Sequence, residues 1–335
     1  MAVETTPHPL RSEPRWYLTA ALALAAILLY LSFRGVDWTQ LLDVLRHARL
    51  DTLLVACLIF SISYFARSLR WRILLSAGKR IARTDVFGAT MVGYLGNNLL
   101  PARAGELMRT ALLSRRAGLN AGFILGTIFT ERMIDVVAVA LFGGGAFVAL
   151  NALNLDKPVW WADAVQGAGL LGVGVVAMVF LAVRSEGLLK RLLARLPFAR
   201  AASVRPRLAR LLEHFLNGLQ TFREPGRALG LASLTVAIWL VDSLAVKMIA
   251  QALSLTLTWP EALVFIAALA LSSAVPSTPG YVGVYQFVAV TVLAPFGIAQ
   301  TEALAYILAF QAVAYVAVIA WGVWGLWRLR GRVSP

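Results

Sequence analysis

An all-α, polytopic membrane helix bundle is the fold class predicted for this chain, and three observations predict it. Of its 335 residues, 59% are hydrophobic and only 14% charged, more apolar surface than a soluble core can enclose. The basic residues gather beside the apolar runs. Two of those runs are also broken in matching fashion, about half a chain apart. Asn97 and Asn98 precede Pro101 by four and three residues, and Gly105 follows it by four; Ser272 and Ser273 stand in the same relation to Pro276, with Gly280 after it. Proline removes a backbone donor and clashes with the preceding turn, and Asn or Ser side chains can satisfy the groups it frees. Paired interruptions of this kind point to a substrate site built from broken helices.

The elements follow in order. Residues 1–15 are polar and proline-bearing and read as a cytoplasmic tail. Residues 16–33 lack a small-residue cleavage site and read as an uncleaved first span. In 36–50, Trp38, Leu41, Leu42 and Leu45 share one helical face, as in a helix lying at the interface. Span 52–69 ends in Arg67, Arg70, Arg72, Lys79, Arg80 and Arg83, which marks the cytoplasmic side. Segment 86–100 covers roughly 22 Å at ~1.5 Å per residue, short of a ~30 Å hydrocarbon core. It breaks at Pro101 and meets Arg103, Arg109, Arg115 and Arg116, so 86–116 is predicted to be a re-entrant hairpin from the cytoplasmic side.

The run 120–150 leads to a loop with Asp156, Lys157, Asp163 and Trp160-Trp161, expected outside. Span 165–183 returns, and 184–227 reads as two amphipathic helices on the inner leaflet, separated by Pro197 and Pro206. After span 229–252, segments 261–275 and 281–296 flank the second break. Span 303–327 ends at Arg328, Arg330 and Arg332, and 329–335 is a cytoplasmic tail. The parity closes if the two breaks are hairpins entering from opposite faces, as an inverted repeat requires. Residues 16–328 then form one transmembrane domain.

Chemistry concentrates at the breaks. Glu131, Arg132 and Asp135 interrupt an apolar helix, where each charge costs about 2.5–3.5 kcal/mol on insertion scales. Glu131 and Asp135 share a face and would repel, so a basic partner is expected from Arg132, Arg103 or Arg109. Two readings stand: a structural ion-pair network, and direct contact with a polar substrate. Arg103, Gly105 and Glu106 place a helix start at the first break, suited to a phosphate or carboxylate. At the second, Thr278 reads as an N-cap with Pro279 at the first helical position, Gly280 and Gly283 permit close approach, and Tyr285 and Gln286 follow. Asp242 and Lys247, five apart, are expected to pair with other spans. Gln311 reads as helix-packing glue. Arg67 and Arg70 read as lipid-facing anchors at the inner leaflet.

Other classes fall away. The net charge of +14 belongs to the positive-inside pattern and to anionic inner-leaflet lipids rather than to nucleic acid. One cysteine, Cys57, excludes a disulfide framework. His8, His47 and His214 lie outside the apolar segments, so neither a metal site nor a histidine relay is expected. No phosphate-binding G-x-x-x-x-G-K-[ST] occurs. Gly167, Gly169 and Gly172 match a dinucleotide fingerprint only by letter and, with Gly118, Gly122 and Gly126, read as helix packing. No cofactor is expected, and no catalytic group has a plausible activator.

Taken in order, Arg70-Trp71, Asn97-Asn98-Leu-Leu-Pro101-Ala-Arg103-Ala-Gly105-Glu106-Leu-Met-Arg109, Glu131-Arg132-Met-Ile-Asp135 and Pro276-Ser-Thr-Pro279-Gly280-Tyr-Val-Gly283 resemble the lysylphosphatidylglycerol synthase transmembrane family, also called flippase-like, over about residues 15 to 328. In its multiple peptide resistance factors such a membrane domain moves an aminoacylated phospholipid between leaflets, while a separate soluble domain makes that lipid. These 335 residues contain no such domain, so the resemblance implies the translocating half in a cytoplasmic membrane, and no enzyme. The expectation is a lipid flippase whose site draws on Asn97, Asn98, Arg103, Gly105, Glu106, Arg109, Glu131, Arg132, Asp135, Ser272, Ser273, Thr278, Gly280, Tyr285 and Gln286. Its substrate would carry a phosphate-bearing headgroup, with charge read at the first break and backbone supplied by the second. The alternatives are a secondary transporter of a small polar solute and a non-transporting accessory protein of a lipid or glycan pathway. An oligomer is compatible with all three.

Overall fold

The computed structural model describes residues 16–100, 103–151, 224–273 and 278–330, with Gly167 and Gly174 besides. The polar tails, the expected span 165–183, the loop holding Asp156 and Trp160, most of the amphipathic segment 184–227, and Pro101 and Pro276 themselves lie outside the described residues. Every regular element among the described residues is helical. Five helices are long and apolar enough to cross a membrane, six if the bent pair at the N-terminus counts as one. Large apolar side chains stay exposed along them, among them Leu54, Leu58, Ile62, Leu229 and Val316. That surface suits lipid, where helix association rests on close packing rather than on burial from water.

Helix α1 (Trp16–Phe33) turns by 88° into α2 (Trp38–Arg46). Gly35, at φ 80°, takes a left-handed conformation at the bend. A helix is there as expected, with Leu41 buried while Trp38 and Leu42 are exposed. Asp37 caps α2 by accepting from the amides of Thr39 (2.9 Å) and Gln40 (3.1 Å). The Thr39 hydroxyl, and then the Gln40 amide, hold the Asp37 carboxyl below its ordinary value. A carboxyl lowered in the folded state supports the cap above its unfolded pKa and loses that support as pH falls through the folded one. Protection of the Thr39 and Gln40 amides from hydrogen exchange, taken relative to the intrinsic rate at each pH, is therefore expected to fall on acidification below the usual carboxylate range. Asp37→Asn should flatten that pH dependence.

Helix α3 (Leu50–Leu75) is 26 residues long and runs past the expected end at residue 69, so Arg67 and Arg70 lie within it. Next come α4 (Arg83–Leu99) and α5 (Ala104–Ala117). Helix α6 (Ala121–Ala138) passes through a π-helical turn (Val139–Gly143) into α7 (Gly144–Asn151). Helix α8 (Pro225–Ala252) starts at a proline in the favoured first turn, so residues 225–227 belong to it and not to the amphipathic segment. Helix α9 (Trp259–Ser272) starts with Thr258 and Glu261 capping each other's amides. A 3₁₀ turn (Pro279–Tyr281), α10 (Val284–Leu293) and a second 3₁₀ turn (Ala294–Phe296) lead to α11 (Gln300–Arg330).

Helix α11 has 31 residues, about 46 Å at ~1.5 Å each, and serves as a ruler for the rest. Helices α4 and α5 form an antiparallel hairpin, with Asp85 and Arg116 3.5 Å apart at its open end. Near its tip a Cβ on Gly96 would sit 2.7 Å from the Gly105 Cα. The open end lies at the C-terminal end of α11, where Arg328 reaches Thr84 at 3.5 Å. Helices α9 and α10 form a second hairpin along the other half of α11. Phe265 meets Tyr306 and Phe310 edge to face at 5.2 and 6.2 Å, and the tip carbonyl of Gly280 accepts from Tyr315 (2.5 Å) and Gln311 (3.1 Å). The hairpins thus enter the bundle from opposite ends, and their tips meet at mid-length of α11.

Gly118 is not a packing glycine. It ends α5 at φ 67° with nothing within 4 Å of its Cβ position, a left-handed C-cap.

Candidate functional site

The two breaks close on each other. Arg103 precedes α5 in the left-handed region, φ 55°, a conformation that costs a non-glycine residue free energy and collects at functional sites. From there its guanidinium donates to the carbonyl and the hydroxyl of Ser273 on the opposite tip. Ser272 and Ser273 also donate back to Leu269 (2.9 Å) and Ala270 (2.7 Å), so the serines do satisfy their own helix end. Asn97 and Asn98 do not: the Asn97 Oδ1 is buried with no partner.

At the second tip the expected start at Thr278 and Pro279 opens only a 3₁₀ turn, and α10 begins at Val284. Thr278 makes no cap bond; its hydroxyl donates to the Val282 carbonyl at 2.8 Å. Gly280 and Tyr281 take φ of 69° and 59°, which turns the chain once before α10 begins. Gln286 accepts there from the Gly283 amide at 2.7 Å and donates to Gln311 at 2.6 Å. Gln286, Gln311, Tyr315 and the Gly280 carbonyl form one connected polar chain. Gln311 is therefore part of the tip and more than generic glue.

Between the tips and the flanking helices lies a cavity of about 250 Å³. Of the residues expected from sequence, Asn97, Asn98, Arg132 and Tyr285 line it, and Gln311 does too; Tyr64, Arg67, Tyr94, Asp242, Tyr281 and Tyr315 complete its polar wall. Tyr281 and Tyr285 stack with centroids 4.8 Å apart and planes 9° apart, while Tyr64 and Tyr94 meet at 5.6 Å and 65°.

The intramembrane charges resolve into two sets. Arg67 and Asp242 pair at 2.5 Å on the cavity wall. Arg67 is thus no lipid-facing anchor. The second set reaches the cavity only through Arg132. Arg70, with no exposed side-chain surface, reaches Asp135 at 2.6 Å and Glu131 at 3.6 Å. Arg109 holds Glu131 at 3.1 Å and lies 4.6 Å over the Trp71 ring, a cation–π contact. Arg132 bridges Glu106 (3.2 Å) and Asp135 (3.5 Å). Three arginines therefore balance three carboxylates. Glu131 and Arg109, each 1% exposed, are removed from the cavity, and Gly105 serves the hairpin by letting α5 reach the α4 backbone. Arg70, read as an anchor, is the hub of the network.

Arg103 differs from these arginines: no carboxylate lies within 4 Å of it among the described residues. Lys247 pairs with no acid either; it donates to the Leu257 carbonyl and lies 5.5 Å over Trp259.

The family model described as the lysylphosphatidylglycerol synthase TM region matches residues 18–322. The chain belongs to that family. It is a multi-pass membrane protein, and it is similar to the glycosyltransferase AglD of Haloferax volcanii, 28% identical over 295 residues that make up 80% of this chain and 46% of that protein. The chain thus spans about half the length of that relative. It is 24% identical to the UPF0104 membrane protein MJ1078 of Methanocaldococcus jannaschii over 224 residues, 67% of this chain and 89% of that one.

In this member of the synthase membrane-region family, the tyrosines are the cavity-lining residues that sequence reading missed. Tyr64, Tyr94, Tyr281 and Tyr315 sit in apolar runs where an aromatic reads as packing. Their spacing holds one usable signal: Tyr281 and Tyr285 are four apart, one helical turn, beside the second break.

Proposed function

We propose that this protein binds the polar headgroup of a membrane lipid in the cavity between its hairpin tips and carries that headgroup between leaflets, with the acyl tails remaining in lipid. One observation carries the reading. Two broken-helix hairpins from opposite ends of an apolar bundle meet around a cavity lined by Asn97, Asn98, Arg67, Arg132, Asp242 and several tyrosines. Polar groups at that depth are costly and mark substrate paths. We read the hairpins as halves of an inverted repeat, so that rocking one against the other exposes the cavity to each side in turn.

Arg103 is the candidate for the headgroup phosphate, since it is not neutralised by a carboxylate. The acids Glu106, Glu131 and Asp135 hold arginines in place instead of binding a cationic group. Arg72, Lys79, Arg83, Arg116 and Arg328 gather at one end, which supports a cytoplasmic assignment for that end and contact with anionic inner-leaflet lipids. Similarity to a glycosyltransferase of Haloferax volcanii supports a place in a lipid or glycan pathway.

Leaflet exchange of labelled phospholipids in reconstituted vesicles tests the reading. Wild type is expected to exceed empty vesicles, and Arg103→Ala to lose about tenfold of that excess while melting near wild type, because it strands no buried carboxylate. Exchange by wild type at the empty-vesicle rate for every lipid would sink the proposal.

A further inference from the structure

We infer that the headgroup this cavity takes is neutral and polyhydroxylated, a single sugar-sized group on a lipid phosphate. The inference rests on the lipid-translocation reading above and narrows its substrate class. Which groups facing the cavity are already occupied decides the matter. Its charges are spoken for: Asp242 is paired with Arg67 at 2.5 Å, and Arg132 with Glu106 and Asp135. A cationic headgroup would find no unpaired carboxylate there and would have to displace an arginine.

The unoccupied groups are neutral. The hydroxyls of Tyr64, Tyr94, Tyr281 and Tyr285 and the side-chain amides of Asn97 and Asn98 have no hydrogen-bond partner among the described residues, and all six line the cavity. A phenol and a primary amide each both donate and accept. Sugar hydroxyls do the same, so such walls and such a ring satisfy one another without any net charge. The stacked Tyr281–Tyr285 pair adds electron-rich faces that suit the C–H face of a sugar ring. The volume, about 250 Å³, has room for one sugar ring. Arg103 stands at the tip junction, outside the cavity lining, where its guanidinium holds Ser273.

The test uses the full chain in vesicles with three fluorescent lipids of identical tails: phosphatidylglucose, phosphatidic acid and lysylphosphatidylglycerol, with uptake of free glucose 1-phosphate measured in parallel. Phosphatidylglucose is expected to exchange at least tenfold faster than lysylphosphatidylglycerol. Tyr285→Phe keeps the ring stack and drops one hydroxyl; it should lower the ratio of phosphatidylglucose to phosphatidic acid exchange about fivefold to tenfold. Tyr94→Phe, made separately, repeats the measurement at the opposite wall should the first variant fold poorly. Exchange of lysylphosphatidylglycerol equal to or faster than the glucosyl lipid overturns the sugar assignment and leaves lipid translocation standing. No exchange of any lipid overturns both, and uptake of glucose 1-phosphate without lipid exchange overturns the lipid source alone.

Discussion

Arg70→Ala is expected to cost about 3–5 kcal/mol of folding stability, the range seen when one partner of a buried ion pair is removed. Arg70 has no solvent-exposed surface and, among the described residues, is the only arginine within 4 Å of both Glu131 and Asp135. Its loss leaves Asp135 to Arg132 at 3.5 Å and Glu131 to Arg109 at 3.1 Å, with a net negative charge enclosed. Thermal melting in detergent, followed by size-exclusion recovery, reads the loss as a drop of several degrees. Arg70→Met with Asp135→Leu removes the pair together, keeps the enclosed charge balanced, and should regain much of the deficit. If Arg70→Ala melts with wild type, the network does not hold the fold.

The second large effect is expected at Gly105. A Cβ there would lie 1.9 Å from the Gly93 carbonyl oxygen and 2.6 Å from the Asn97 amide nitrogen. Both are backbone atoms of α4, so no side chain can swing aside. Gly105→Ala must push the hairpin apart, at the upper end of the 1–3 kcal/mol usual for overpacking, about 3 kcal/mol. Gly118→Ala is the control. Its Cβ meets open space, and only its positive φ resists, at about 1 kcal/mol. Expression yield and melting temperature of the two variants should therefore separate clearly; equal behaviour would mean that α4 and α5 are not packed as described.

Much of this was legible in the residues. Apolar runs, basic clusters and prolines placed both hairpins and their opposite directions, because each signal is local and the charge asymmetry fixes parity. What stayed hidden is pairing across distant segments. Arg67 and Arg70 look like the basic end of a span, since a sequence does not say that α3 continues two turns past residue 69. Asp242 and Thr235, which meet Arg67 and Arg70, lie more than 160 residues further on. The site was partly legible for the same reason. Asn97, Asn98 and Tyr285 are adjacent to the breaks and were found, whereas Tyr64 and Tyr94 come from uninterrupted helices and carry no local mark. Thr278 and Pro279 do stand as cap and first position, but of a single 3₁₀ turn, because Gly280 and Tyr281 take left-handed backbone, which letters alone do not reveal for a tyrosine.

The pairing of Arg67 with Asp242, 175 positions apart in the chain, has a consequence for how the protein is made. At about 5–20 residues per second of synthesis, roughly 9–35 s separate the emergence of the arginine from that of its acid. Arg70 waits a shorter time for Asp135, 65 positions on. During that interval Arg67 and Arg70 lack the acids they pair with in the folded chain, and α3 is poorly suited to lie free among lipid tails. Its release from the insertion machinery is thus tied to the arrival of α6 and then α8. The cavity wall is among the last features of the nascent chain to close.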